Sequence, residues 1–153
     1  MTRQEVAALQ AALAAEQAAC YGYGVVGARL NASASDGQSA DTDWVAHQIA
    51  RDNLTAMITA AGATPVPAPV AYQLPVQAHT AAQAKSLAVV LEDNVAQAYM
   101  GLVGLTDKAL RELGTRQLTD AALRAARWRR STVAFPGLKA ESQRGQAAES
   151  LRG

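Results

Sequence analysis

The sequence predicts an all-α protein built as a four-helix bundle, and three observations carry this prediction. Half of the residues are hydrophobic but only 5% are aromatic, and alanine is the most frequent residue. Small side chains favour closely packed helices, whereas β-sheets prefer β-branched and aromatic residues. Apolar residues also recur at alternating gaps of three and four, which keeps one face of a helix buried. A chain of 153 residues is long enough for one such domain with a single core.

The first helix carries the clearest repeat of this kind. Thr2 and Glu5 have the spacing of a capping box at its start, and we expect it to run to about Leu30. Its buried stripe consists of Val6, Leu9, Leu13, Glu16, Cys20, Tyr23, Gly27 and Leu30. Glu16 is the one charged residue in this stripe, so burying it without a partner would cost several kcal/mol. The sequence therefore predicts that another group neutralises Glu16.

The second helix follows a polar stretch at residues 31–40 that is typical of a loop. Asp41 or Thr42 can cap this helix, which we expect to run through Ala61. Gly62 then suits the position just past a helix end, where a left-handed backbone is common.

The third and fourth helices occupy the second half of the chain. Helix three is expected from Thr80 to about Leu105, after which the chain restarts as a helix near Asp107. Gly114 is predicted to interrupt this stretch, so that residues 115–132 form the main fourth helix. Residues 1–138 are then one bundle domain, and residues 139–153 a polar, mobile tail.

The connection between helices two and three is long and rich in proline. Residues 63–79 contain Pro65, Pro67, Pro69 and Pro75, which exclude both a helix and a central strand. Extended, this segment can reach about 56 Å, whereas a helix of twenty residues is about 30 Å long. Two helical hairpins joined by one long crossover form the topology of ferritin-like bundles. The alternative is an irregular helical domain in which the segment is a surface loop.

Several segments between residues 5 and 138 resemble a bacterial ferritin-like family of unknown function. They are LQAALAAEQAACYGYGVVGARL, WVAHQIARDNLTAMITAAGATPV, YQLP, LAVVLEDNVAQAY, AALRAARWRR and AFPG. The resemblance implies a four-helix bundle related in shape to ferritins and di-iron carboxylate proteins. It implies no activity, and it does not imply that a metal is present.

The residues of a conventional di-iron site are missing from the sequence. Such a site takes one Glu from each of two helices and a Glu-x-x-His pair from each of the other two. Neither Glu16 nor Glu92 is followed by a histidine three residues later. The chain has two histidines, His47 and His79, and neither belongs to this motif. The sequence therefore predicts no metal site and no cofactor.

A charge-neutralising cluster is predicted in place of the metals. Glu16, Arg51 and Glu92 fall within roughly 8 Å of one another along the bundle axis, with Asp52 and His47 nearby. The planar guanidinium of arginine can pair two carboxylates, so we expect Arg51 to occupy the place of the metals. In the alternative, Arg51 and Asp52 lie on a solvated helix face and Glu16 pairs locally.

For function, the sequence favours a non-catalytic binding or structural module over an enzyme. One alternative is a metal-dependent oxidoreductase or metal-binding protein that uses Glu16, Glu92, Asp52 and His47 as an unconventional site. A second alternative is a small-molecule binder whose cavity between the helices is lined by Tyr23, Tyr99 and Trp44.

Charge and hydropathy limit the partners. The formal net charge is only +1, so no strong field attracts nucleic acid or an anionic membrane. The sequence has no run of eighteen apolar residues and no apolar leader at its start. We therefore expect a cytoplasmic protein that binds neither nucleic acid nor membranes. An exposed helical face is a candidate surface for a homodimer.

Overall fold

Four α-helices make up most of residues 1–131, the part of the chain that the computed structural model describes. They are α1 (Arg3–Gly27), α2 (Ser35–Ala60), α3 (Ala81–Val103) and α4 (Lys108–Arg129). Within this range there is no β-strand, which confirms the all-α prediction. The predicted tail at residues 139–153 and the last residues of the predicted bundle domain, 132–138, lie outside the described residues.

Two helices begin with capping boxes. The Thr2 hydroxyl accepts a hydrogen bond from the Glu5 amide, and the Glu5 carboxylate accepts one from the Thr2 amide at 2.7 Å. Thr80 and Gln83 form the same reciprocal pair at the start of α3. Each box satisfies backbone donors that have no partner within the helix. Both starts agree with the sequence-based expectation.

The start of α2 differs from the prediction. The helix begins at Ser35 and not after Asp41 or Thr42, because the second half of the polar stretch already forms helical turns that contact the bundle. Gly37 and Ala40 are buried, and Asp36 in the first turn pairs with Lys85 at the start of α3. The far end of α2 is as expected, since Gly62 follows it with a φ of 76°.

Gly114 lies inside α4 and does not interrupt it, so this part of the prediction is wrong. A β-carbon at this position would lie 2.8 Å from the Leu102 Cβ and 3.0 Å from the Val103 backbone nitrogen. The glycine therefore lets the backbones of α3 and α4 approach closely, and this packing offsets its low helix propensity.

Replacing Gly114 with alanine should lower the free energy of unfolding by about 1–3 kcal/mol, because the added methyl group overpacks the α3–α4 contact. Urea denaturation measures this change. Gly24→Ala is the matched control, since a β-carbon there meets no atom within 4 Å. That control should be neutral or stabilising by up to ~1 kcal/mol. Equal effects of the two substitutions would contradict the packing argument.

The order of helices in space follows from their contacts. α1 packs against both α2 and α3, and α3 packs against α4. Glu16 of α1 contacts Tyr99 of α3, whereas Tyr23, farther along α1, contacts the earlier residue Glu92. On α2, Tyr23 contacts Asp43 and Glu16 contacts the later residue His47. Both α2 and α3 therefore run opposite to α1.

Residues 61–80, between α2 and α3, follow the outside of α1. The Gln10 amide nitrogen donates to the Thr64 carbonyl at 2.8 Å, and the Gln10 side-chain oxygen accepts from the Val66 amide at 2.7 Å. Near the other end of α1, the Arg29 Nε donates to the Ala78 carbonyl at 2.9 Å. Side chains of α1 thus satisfy backbone groups that the proline-rich segment cannot pair within itself.

The apolar core consists of two clusters of buried side chains. One includes Leu9, Leu54 and Leu102, and the other includes Val26 and Leu87. On α3, the residues of the two clusters lie on either side of Glu92. Of the helices in residues 1–131, none is sufficiently long and apolar to cross a membrane.

Candidate functional site

Four acidic or basic side chains are buried in the interior of the bundle. Glu16, His47 and Glu92 are 0% exposed, and Asp43 is 2% exposed. Burying a charged group is costly unless it is paired and hydrogen-bonded, so their partners decide what this region can do. We call these residues and their hydrogen-bond partners the central cluster: Glu16, Tyr23, Asp43, His47, Glu92, Tyr99, Arg124, Arg127 and Trp128.

His47 lies between two glutamates from different helices. Its Nδ1 is 2.6 Å from Glu16 Oε2, and its Nε2 is 3.1 Å from Glu92 Oε1. An ionised carboxylate only accepts hydrogen bonds, so both ring nitrogens must carry protons to donate. Only an imidazolium can donate to both carboxylates at once, and in that form His47 bridges α1 and α3.

The environment of His47 favours this charged form. Burial alone would lower its pKa, but the hydrogen bonds to Glu16 and Glu92 and their charges raise the pKa to about 9. For Glu92, burial alone would raise the pKa, because it too disfavours the charged form. However, the hydrogen bond from His47 and the charges of His47 and Arg124 hold that pKa below its usual value. The imidazolium and the Glu92 carboxylate are thus both ionised at neutral pH.

Two buried tyrosines also donate hydrogen bonds to the glutamates. The Tyr99 hydroxyl donates to Glu16 Oε1 at 2.8 Å, and the Tyr23 hydroxyl donates to Glu92 Oε1 at 2.6 Å. Burial and the neighbouring carboxylates raise the pKa of both hydroxyls. Both tyrosines are therefore neutral hydrogen-bond donors.

Helix α4 contributes three further side chains. Arg124 Nε donates to Glu92 Oε1 at 2.9 Å, and Trp128 Nε1 lies 2.9 Å from an Asp43 oxygen. Arg127 forms an ion pair with Asp43. Sequence reasoning did not assign these residues or Asp43 to the site. A signal was present, because Arg124, Arg127 and Trp128 are spaced by about one helical turn and so share a face.

The charges of the central cluster balance. Three carboxylates (Glu16, Asp43, Glu92) contact three cations (His47, Arg124, Arg127). Arg127 is half-exposed, whereas Arg124 is largely buried, so the cluster reaches the surface through α4. The protein thereby neutralises its buried carboxylates with its own side chains.

The structure corrects the prediction for Arg51. Arg51 Nε pairs with Asp52 at 2.8 Å, and the two side chains are 36% and 66% exposed, so neither belongs to the cluster. The reason is the position of the buried face of α2, which contains Ala50 and not Arg51. A shift of one residue turns a side chain by about 100° around the helix. The cations beside Glu92 are instead His47 and Arg124.

The three aromatic residues predicted to line a cavity do not share one environment. Tyr23 and Tyr99 are buried and contact the glutamates, but Trp44 is exposed, and its Nε1 donates to the Cys20 carbonyl at 3.0 Å. Burial raises the pKa of the Cys20 thiol to about 11, so the thiol is protonated at neutral pH.

Within residues 1–131, no three His, Cys, Asp or Glu side chains are placed to hold one metal ion.

Comparisons with known proteins place the chain in a family but do not supply an activity. The chain is 34% identical to a protein titled "Crystal structure of a conserved hypothetical protein, rv2844, from Mycobacterium tuberculosis". The match covers 85% of this chain and 98% of that one, with a TM-score of 0.79. No curated protein matches the sequence. A family model described as a domain of unknown function, DUF4439, matches residues 8–140, and the chain therefore belongs to that family.

Proposed function

We propose that this chain is a ferritin-like bundle without the di-iron site, and that it acts as a non-catalytic binding or structural module. The observation that carries the proposal is the position of His47, whose two ring nitrogens contact Glu16 and Glu92. An internal cation thus stands between carboxylates on α1 and α3.

The path of the chain supports the ferritin-like assignment. α2 and α3 both run opposite to α1, as they must when one long crossover joins two helical hairpins. The hydrogen bonds of Gln10 and Arg29 hold residues 64–78 along α1, as expected for such a crossover.

The residues of the central cluster do not fit a di-iron centre. Both oxygens of Glu16 accept hydrogen bonds from protein donors, Tyr99 and His47. Glu92 Oε1 accepts from His47, Tyr23 and Arg124. A metal ion at either oxygen of Glu16 or at Glu92 Oε1 would have to displace these donors. Beside Glu92 it would also lie close to the cations His47 and Arg124, and like charges at such distances repel strongly where the dielectric constant is low. The donor set therefore favours hydrogen bonding within the protein over metal binding.

The state of His47 also supports a non-catalytic role. A general base needs an unprotonated nitrogen within reach of a substrate. Both His47 nitrogens donate to glutamates, and the ring is fully buried. His79, the other histidine of the chain, is exposed just before α3 and contributes no side-chain hydrogen bond to the central cluster.

The outer surface would then carry any interaction. Val45 and Ile49 are exposed one turn apart on α2, on the side away from His47 and Leu54. We propose a cytoplasmic protein in which such an exposed helical face supports a homodimer. Exposed apolar side chains on a helix are a common component of such interfaces.

Metal analysis tests the proposal. Protein produced in medium enriched in iron or manganese should contain far less than one metal ion per chain. Addition of EDTA should leave the melting temperature unchanged, because no bound metal contributes to stability. Elemental mass spectrometry and thermal unfolding measure the two quantities.

Two variants distinguish a cluster-bound metal from adventitious metal. Glu16→Gln changes the central cluster, whereas Asp52→Asn changes an exposed carboxylate. Under the proposal, neither substitution alters the metal content. Stoichiometric metal that Glu16→Gln abolishes and Asp52→Asn preserves would overturn the proposal and favour a metal-dependent oxidoreductase or metal-binding protein.

A further inference from the structure

The two oxygens of the Glu92 carboxylate have very different surroundings. Oε1 lies within hydrogen-bonding distance of three donors, at 2.6 Å from the Tyr23 hydroxyl, 2.9 Å from Arg124 Nε and 3.1 Å from His47 Nε2. Oε2 is buried, and no donor among residues 1–131 lies within hydrogen-bonding distance of it. The side chain as a whole is 0% exposed.

Protonation does not explain the second oxygen. His47 and Arg124 counteract burial and hold the pKa of Glu92 below its usual value, so the carboxylate is ionised at neutral pH. A buried ionised oxygen without a donor is costly, and native proteins nearly always pair such atoms with a protein group or a bound molecule.

We propose that Glu92 Oε2 is a binding site for a small, uncharged hydrogen-bond donor of the size of water. This inference goes beyond the proposed function, since it concerns the interior of the cluster and holds for a catalytic or a non-catalytic protein.

The charges around Glu92 determine the class of ligand. An anion would face the carboxylate itself. A metal cation at Oε2 would lie close to the imidazolium of His47 and the guanidinium of Arg124, both of which contact the same carboxylate. An uncharged donor satisfies Oε2 and leaves the charges of the cluster balanced.

Arg124 contacts the same carboxylate and extends toward solvent, so we expect it to be the second polar partner of the bound molecule. Its Nε is used by Glu92 Oε1, and its side chain is 13% exposed, so the guanidinium connects the buried carboxylate with the surface. Buried water molecules typically make about three hydrogen bonds, and a molecule beside Oε2 could accept one from the remaining N–H groups of this guanidinium.

A high-resolution crystal structure of the whole chain tests the proposal, with water itself as the probe. We expect an ordered water at about 2.7–3.2 Å from Glu92 Oε2 with at least one further polar partner. Any of three findings would overturn the proposal. Arg124 could pair with both oxygens of Glu92 in a bidentate contact, a donor from residues 132–153 could hydrogen-bond to Oε2, or Oε2 could be surrounded by carbon atoms only. A peak with the shorter distances and higher coordination of a metal ion would also overturn it.

Nuclear magnetic resonance tests the same site in solution. Cross-relaxation between water and the γ protons of Glu92 should have the sign of a long-lived, immobilised water. The γ protons of Glu112, which is exposed, are the matched control and should show only rapidly exchanging water. The same signal at both residues, or none at Glu92, would count against a bound molecule. Neither result depends on metal content, so this test can fail independently of the proposed function.

Discussion

Replacing His47 with alanine should lower the free energy of unfolding by about 3–5 kcal/mol, the usual cost of leaving buried charges without their partner. The substitution removes the cation between Glu16 and Glu92 and leaves both carboxylates buried. Equilibrium urea denaturation measures the loss. The dependence of the free energy on urea concentration should stay the same if the bundle keeps its compactness.

Arg51→Ala is the control for this substitution. Arg51 and Asp52 form an exposed ion pair, and such pairs contribute about 1 kcal/mol or less. The comparison separates the observed cluster from the one predicted by the sequence, in which Arg51 held the central position. A large loss for Arg51→Ala with a small loss for His47→Ala would refute the central position of His47.

The stability of the protein should fall as the pH rises from about 6.5 to about 9. The pKa of His47 is about 9 in the folded protein, against a value of 6.5 without these neighbours. A raised pKa means that the folded state holds the proton more tightly, so the stabilisation is complete below 6.5 and is lost as the pH passes through 9. The difference corresponds to about 3 kcal/mol. Urea denaturation at several pH values measures it.

Two variants assign this pH dependence to one residue. His47→Gln should remove the fall between pH 6.5 and 9, whereas His79→Gln should preserve it, because His79 is exposed. The measurements should stop near pH 9, since Cys20, with a pKa raised to about 11, adds a decline of its own above its usual value of 9.0. A flat profile in the wild-type protein would show that His47 does not carry the proton.

Local sequence signals predicted much of this fold. The capping boxes at Thr2 and Thr80 and the glycine after α2 act within a few residues, so their chemistry is visible in the sequence alone. The burial of Glu16 could also be inferred, since apolar residues surround it at helical spacing. By contrast, the role of Gly114 depends on α3, which packs against it, and no local pattern reveals that contact.

The composition of the site was harder to predict because it depends on how each helix is rotated. On α2, a stripe through Trp44 and Arg51 competes with one through Asp43 and Ala50, and the structure contains the second. Hydrophobic periodicity shows that a helix has a buried face. It does not decide between two stripes that start at adjacent residues, because these differ by a rotation of only about 100° about the helix axis. Arg124 was not predicted as part of the site for a related reason. Its pairing with Glu92 depends on how α4 packs against α3, which the sequence of α4 alone does not reveal.

The central cluster draws residues from all four helices, and this has a consequence for how the helices align. Apolar side chains make non-directional contacts, which would tolerate sliding one helix past another by a turn of about 5.4 Å. The hydrogen bonds of Glu16, His47, Glu92 and Arg124 exist at a single axial offset. A bundle with leucine-like residues in their place could be as stable, yet it would lose the feature that selects one register among several. The central cluster would then fix the relative axial positions of the helices, and with them the relative positions of their outer surfaces.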